Sequence, residues 1–201
     1  MRIRTHTNPF SCRRSFKKLS EYDFPFGSLK NLDFEVGFGR GKFIINYAKQ
    51  NTQRFIVGVD VRTAVVNLLN KRLKEEEIDN VFALIGNGQV VLDQMFDDNS
   101  LDNIFIFHPD PWIKKKHHKR RIINKGFLDI AKNKLKQEGK IHVSTDADFL
   151  WEHILEIFAD HDSFILLEND SFWSDSYVSR WNEISQEKER KIFYATFGLR
   201  L

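Results

Sequence analysis

From Leu32 onward, short apolar runs of four to seven residues alternate with longer segments of helical spacing. No other feature restricts the fold as much. The runs that read as strands are Leu32–Val36, Phe55–Asp60, Val81–Ile85, Ile104–Phe107, Lys140–Thr145, Ser163–Leu167 and Ile192–Phe197. Helical spacing marks Lys42–Gln50, Thr63–Glu77, Val90–Phe96, Asn124–Leu135 and Asp148–Ala159. Within Thr63–Glu77, Val65, Val66, Leu68, Leu69 and Leu73 fall on one stripe, while Arg72, Lys74 and Glu76 face away. Gly139 is expected to end the fourth helix as a left-handed C-terminal residue. Strands alternating with helices imply an α/β fold, a mostly parallel seven-stranded sheet with helices on both faces.

Such sheets bind ligands at the carboxyl ends of their strands, near the reversal of strand order. The residues just after each strand therefore carry the functional information. After the first strand stands Glu35-Val36-Gly37-Phe38-Gly39-Arg40-Gly41. Its alternate glycines permit a sharp strand-to-helix turn and a close approach of ligand to backbone. Dinucleotide sites use a different spacing and place pyrophosphate on the helix N-terminus. Glu35 would repel a pyrophosphate but attract an ammonium group, which favours S-adenosylmethionine over a nicotinamide cofactor. Asp60 ends the second strand, roughly twenty residues on, where an acid accepts ribose hydroxyls or caps the next helix. After the third strand, the amide of Asn87 in Gly86-Asn87-Gly88 can pair with an adenine edge; Asn-Gly is also a plain turn. Together Glu35, Gly37, Gly39, Gly41, Asp60, Asn87 and Gly88 make a candidate adenosyl-ligand site.

The fourth strand runs into His108-Pro109-Asp110-Pro111-Trp112-Ile113. Flanking prolines fix their own backbone angles and restrict the residue before them, so Asp110 should be held rigidly. Trp112 is either a platform for a base, worth about 1–3 kcal/mol when stacked, or a core side chain. Next come Lys114, Lys115, Lys116, His117, His118, Lys119, Arg120 and Arg121, eight consecutive residues with six Lys or Arg. Net charge is only +3, so the positive charge is clustered rather than global, and clustering makes a phosphate footprint. A second basic group, Arg2, Arg4, Arg13, Arg14, Lys17 and Lys18, lies in residues 1–30. That stretch lacks periodicity and reads as an irregular arm preceding a single domain over 31–201, which packs on the domain or reaches a partner. The fifth strand ends in Ser144-Thr145-Asp146, where Asp146 is a substrate ligand or the N-cap of the next helix.

Cys12 is alone, so neither a disulfide framework nor a cysteine-based zinc site can form. His108, His117 and His118 have no carboxylate or cysteine partner at ligand spacing, and no metal is expected. No apolar stretch reaches spanning length and no signal-peptide core is visible, so a cytoplasmic location is the expectation.

These motifs resemble those of the tRNA (guanine-N7-)-methyltransferases, class I enzymes dependent on S-adenosylmethionine, of the bacterial single-chain type. The resemblance covers about residues 30–160 and rests on the glycine loop, on Phe107 through Arg121, and on Ser144-Thr145-Asp146. It implies a Rossmann-like methyltransferase fold and methyl transfer to N7 of a guanine in tRNA, guanine 46 of the variable loop in the family. It also implies cofactor contacts at Glu35, Asp60 and Asn87, a catalytic carboxylate at Asp110, and substrate contacts at Lys114 and Asp146. No obligatory protein partner is implied, in keeping with a monomer or homodimer. The family's C-terminal Thr-Lys-Phe/Tyr-Glu has a loose counterpart in Ser179-Arg180-Trp181-Asn182, which extends the expected substrate contacts to Ser179 and Arg180. Asn182 stands where the family has Glu, and Glu183 follows one residue later. That departure keeps open a catalytically silent tRNA-binding module on the same fold. An amino-methylating enzyme is the further alternative, since such enzymes place an Asn/Asp-Pro-Pro-Tyr segment where Asp110-Pro111-Trp112 stands here.

Overall fold

The computed structural model of the protein describes residues 7–12, 14–22, 31–168, 170–177 and 190–200. Seven strands form one sheet: β1 (Leu32–Val36), β2 (Phe55–Asp60), β3 (Val81–Ile85), β4 (Leu101–Phe107), β5 (Leu135–Thr145), β6 (Phe164–Leu167) and β7 (Phe193–Leu199). Their order is β3-β2-β1-β4-β5-β7-β6. The first five are parallel, and β7 runs antiparallel to both β5 and β6. The helices are α1 (Lys42–Gln50), α2 (Thr63–Glu75), α3 (Gly88–Met95), α4 (Lys125–Lys134), α5 (Asp148–Ala159) and the short α6 (Phe172–Asp175).

Successive strand residues point to opposite faces, and the buried residues sort accordingly. Phe34, Val57, Val59, Ile104 and Ile106 join a core with Leu92 of α3, Phe127 of α4 and Ile154 of α5. Ile56, Phe105 and Phe107 join a second core with Ile44 of α1, Leu69 of α2 and Phe172 beside them. All six residues of β2 are buried, as expected of a strand covered on both sides. Strand order reverses between β1 and β4, so the crevice lies where the glycine loop and the Pro-Asp-Pro segment leave the sheet.

Three local expectations are corrected. Gly139 does not end a helix: α4 stops at Lys134 and β5 starts at Leu135, so Gly139 lies inside the strand. A Cβ at Gly139 would meet the Lys136 carbonyl at 2.8 Å and the Leu101 carbonyl at 3.0 Å. The β4–β5 register shifts between Leu101 and Asn103, so glycine is required by close backbone approach at an irregularity. Leu68 is exposed rather than part of the buried stripe of α2, which is Val65, Val66, Leu69 and Leu73. Finally, α3 begins at Gly88 rather than Val90, because Asn87 caps it.

At the opposite end of the sheet, Asp33 of β1 is fully buried and accepts from Arg54 Nε at 2.6 Å, Arg54 Nη2 at 2.7 Å, Tyr47 Oη at 3.0 Å and Asn103 Nδ2 at 2.8 Å. Asp102 adds a second carboxylate 3.1 Å from Arg54. The network ties β1, α1 and β4 together beneath the crevice. Replacing one member of a buried charge pair strands the other, at a typical cost of about 3–5 kcal/mol. Asp33→Ala is therefore expected to lose stability on that scale in urea unfolding. A loss below about 1 kcal/mol would mean that water replaces the carboxylate.

Candidate active site

The glycine loop adopts the backbone its sequence requires. Gly37, Gly39 and Gly41 have φ of 80°, 56° and 73°, the left-handed region that side chains resist. A Cβ on Gly41 would also sit 2.6 Å from Leu69 Cδ1 in the core. The Gly37 amide donates to the Val59 carbonyl at 2.7 Å, which pins the loop to β2.

Glu35 lies just before this loop, 3% exposed, and its Oε2 has no hydrogen-bond partner. Burial pushes its carboxyl well above the ordinary value, and the nearby charge of Asp60 pushes it further. A buried polar group without a partner is rare and unfavourable. A ligand carrying an ammonium or hydroxyl donor would satisfy it.

Asp60 is also buried and heavily engaged. Its Oδ1 accepts from the Arg62 amide at 2.9 Å and from Arg62 Nε at 2.9 Å. Its Oδ2 accepts from Arg62 Nη2 at 2.7 Å and from the Gly39 amide at 3.2 Å. Asp60 thus joins β2 to the glycine loop, and it does not cap α2, whose N-cap is Arg62. Hydrogen bonding to Asp60 raises the Arg62 guanidinium above its ordinary pKa, burial opposes the rise, and the charge of Asp110 adds to it. Arg62, which sequence reasoning passed over, therefore stands within electrostatic reach of both acids.

Asn87 is neither a plain turn nor a free amide. Its Oδ1 accepts from the Gln89 amide at 2.9 Å and the Val90 amide at 3.4 Å, capping α3. Its Nδ2 donates to the Pro9 carbonyl at 3.3 Å. The described part of the basic arm thus packs on the domain beside this strand end. The Phe16 amide donates to Gln94 Oε1 at 3.0 Å, and Lys18 Nζ donates to the Phe96 carbonyl at 3.0 Å. A cavity of about 520 Å³ lies between the arm and β3, lined in part by Arg14, Phe16, Tyr22, Phe82, Leu84 and Met95. None of the expected cofactor contacts lines it.

Beyond β4, His108 has φ 45° and Trp112 has φ 43°. Side chains seldom hold that conformation unless the surroundings impose it. They do so here, on both sides of Asp110. The His108 amide donates to the Ser144 carbonyl at 2.8 Å. Its ring, nearly enclosed, has Nε2 3.1 Å from Tyr177 Oη and Nδ1 3.5 Å from Asp146 Oδ1. Burial lowers the pKa of His108, opposed by Asp146. Tyr177 Oη lies 2.6 Å from Ser144 Oγ, and Arg190 Nη1 donates to Asp146 Oδ2 at 2.8 Å. Asp146 does not cap the next helix: Ala147 is the N-cap of α5. It instead links the motif after β5 to the motif after β4. His108, Tyr177 and Arg190 had no sequence signal as neighbours, because 69 residues separate His108 from Tyr177.

The basic run divides by position. Lys114, Lys115, Lys116 and Lys119 are exposed; His117, His118 and Arg120 are half-buried. Arg120 covers the half-buried Trp112, its guanidinium carbon 5.0 Å from the ring centroid, and His117 meets the indole edge-on at 5.7 Å. Trp112 is thus neither a bare stacking platform nor a core side chain. Arg121 is corrected outright as a member of the phosphate-facing run. It is 5% exposed, donates from Nε to the Pro111 carbonyl at 3.1 Å and from Nη2 to His118 Nε2 at 3.1 Å. It braces the Pro-Asp-Pro turn from inside. Ser179, Arg180 and Asn182 lie outside the described residues.

The structure therefore gathers Glu35, the three glycines, Asp60 and Asp110 around the β1–β4 crevice. Asp146 is held against the same loop, and exposed lysines stand beside it. Among the described residues, no helix is long and apolar enough to cross a membrane.

A family model described as "Putative methyltransferase" matches residues 30–195. A tRNA (guanine-N(7)-)-methyltransferase of Streptococcus mutans serotype c is 31% identical over 168 residues, 83% of this chain and 77% of that protein. The enzyme of the same name from Nitrosococcus oceani is 36% identical over 136 residues, 68% of this chain and 58% of its own. The chain spans 56–58% of the length of that relative and of those from Mannheimia succiniciproducens and Marinobacter nauticus. Among solved structures, an rRNA methylase from Streptococcus thermophilus superposes with TM-score 0.58 at 11% identity, over 86% of this chain and 89% of that one. A precorrin-6y C5,15-methyltransferase from Geobacter metallireducens superposes with TM-score 0.56 at 14% identity, over 86% and 80%. At such identities these two speak for the fold, which is that of Rossmann-like methyltransferases.

Proposed function

The chain belongs to the tRNA (guanine-N7-)-methyltransferase family, and we propose that it transfers a methyl group from S-adenosylmethionine to N7 of a guanine in tRNA. Guanine 46 of the variable loop is the position expected. One observation carries the cofactor half of this reading: the buried, unpartnered Glu35 oxygen beside three left-handed glycines. The residues fit the cofactor. Glu35 would receive its ammonium group, Asp60 its ribose hydroxyls, and the loop backbone would lie along its chain. When bound, S-adenosylmethionine supplies an electrophilic methyl group on a sulfonium sulfur.

The rest of the work falls to this chain. Guanine N7 carries a lone pair and no proton, so its attack on the methyl carbon needs no strong base. The carbon–nitrogen bond forms as the carbon–sulfur bond breaks, and the purine takes the positive charge. Asp110, held between two prolines, would accept hydrogen bonds from guanine N1–H and N2–H₂. That contact orients N7 and favours the developing charge. Arg190 holds Asp146 for the substrate, with the His108 ring beside it. Selection of one guanine in a folded RNA would come from shape and from a base turned out of its stack.

Lys114, Lys115 and Lys116, exposed beside this site, suit phosphate contacts, which set affinity with little regard to sequence. The protein is taken to act in the cytoplasm, as a monomer or homodimer, without an obligatory protein partner. Neutralising the three lysines together should flatten the salt dependence of tRNA binding by about 0.7–0.9 log units for each phosphate no longer neutralised. An unchanged slope would make the run a bystander.

Incubation with methyl-labelled S-adenosylmethionine and unmodified tRNA, followed by digestion to nucleosides, tests the reaction. Label in 7-methylguanosine is the expected result. Binding of tRNA without transfer would replace the enzyme by a binding module, and label in N6-methyladenosine would make it an amino-methylating enzyme.

A further inference from the structure

We infer that Arg62 is an internal competitor for the cofactor's ribose, so that the ribose hydroxyls reach Asp60 only by displacing the guanidinium. The inference rests on Asp60 being the ribose acceptor, as proposed above. A carboxylate offers about four acceptor positions, and Asp60 fills four with the Arg62 amide, Arg62 Nε, Arg62 Nη2 and the Gly39 amide. Two of these donors are backbone amides fixed by the turn into α2 and by the glycine loop. The other two belong to one side chain that can swing away.

The guanidinium also stands at the loop along which the cofactor would lie. A Cβ built on Gly39 would stand 3.8 Å from Arg62 Nη2, so the group rests against the glycine loop itself. Its side chain is partly exposed while that of Asp60 is almost wholly enclosed, so it forms the outer cover of the acid. Asp110 is a second anion within electrostatic reach of Arg62, which gives the displaced cation a neighbour on the substrate side. The exchange is balanced: two N–H donors leave the carboxylate and two ribose O–H donors replace them. A bidentate charge-assisted pair is among the stronger hydrogen-bonded contacts, so its displacement should weaken cofactor binding measurably.

The coupling can be read from a cycle of two proteins and two ligands, the wild type and Arg62→Met against S-adenosylhomocysteine and its 2′,3′-dideoxy analogue. S-adenosylhomocysteine lacks the sulfonium charge, and any remaining effect of removing a cation is shared by both ligands and cancels. Equilibrium binding should be about tenfold tighter for S-adenosylhomocysteine in Arg62→Met than in the wild type. The dideoxy analogue should bind both proteins alike. Arg62→Lys keeps the charge but cannot bridge both oxygens, and should show a smaller gain of the same sign. It also serves if Arg62→Met fails to fold with Asp60 unpaired. An equal or weaker affinity for S-adenosylhomocysteine in the variants, relative to the analogue, would overturn the inference and make Arg62 a supporting contact. Absence of any binding to the wild type would instead overturn the cofactor reading on which it rests.

Discussion

Asp110→Ala is expected to bind S-adenosylmethionine within about twofold of wild type and to lose roughly 10²–10³-fold in kcat, the range for removal of one preorganised electrostatic group. The separation follows from placement. Asp110 leaves the sheet after β4, whereas the glycine loop and Asp60 follow β1 and β2. The turn that carries Asp110 is fixed by other residues: His108 on Ser144 and Tyr177, and Arg121 on Pro111. Removing the carboxylate should therefore leave the turn in place and take away the guanine's partner. Because N7 has no proton to surrender, the pH profile of the residual activity should keep its wild-type shape. A variant retaining most of its turnover would show that another group orients the base.

Glu35→Gln should have the second largest effect, in opposite senses on binding and on stability. Loss of the carboxylate that faces the cofactor's ammonium should weaken cofactor binding by about 2–3 kcal/mol, roughly a hundredfold. The free protein should gain stability near neutral pH. The sign follows from linkage. A carboxyl whose folded pKa lies above its unfolded value binds more protons in the folded state between the two values. Stability therefore falls as pH rises through that window, from the ordinary value of 4.5 upward, and Gln removes the fall. A cation bound beside Glu35 reverses the preference, so cofactor binding should release a proton below the raised pKa and tighten as pH rises. Calorimetry in two buffers of different ionisation enthalpy reads that proton. An unchanged proton count in Glu35→Gln would place the ammonium elsewhere.

The parts of the fold legible in the sequence are those set by local pattern. Apolar runs locate β1, β2 and β3 to the residue, whereas β4 begins three residues ahead of its apolar run, at Leu101, because Asp102 and Asn103 are polar. The paired glycine and acid signals after β1 and β2 are likewise local, because a left-handed turn admits few residues other than glycine. What escaped the sequence depends on distant segments meeting. Arg62 carries no local signal, and its role emerges only when the glycine loop folds against Asp60. Arg121 reads as one of eight basic residues, but the turn at Pro111 supplies a carbonyl to which its Nε donates. Gly139 looks like a helix stop, and the Leu101 carbonyl that forbids a side chain there belongs to a different strand. Asp146 admits two readings from its position, a substrate ligand or a helix cap. A carboxylate before a helix is a common cap, but here Ala147 is the N-cap and Arg190 donates to Asp146.

The most direct test is where the methyl group lands. Unmodified tRNA incubated with S-adenosylmethionine and the wild-type chain, then treated for chain scission at 7-methylguanine, should break at a single guanine in the variable loop. The same tRNA incubated for the same time with Asp110→Ala should gain cleavable sites about 10²–10³-fold more slowly. Transfer that leaves the tRNA uncut, or equal scission with both proteins, would contradict the assignment of N7 as the target and Asp110 as the group that orients it.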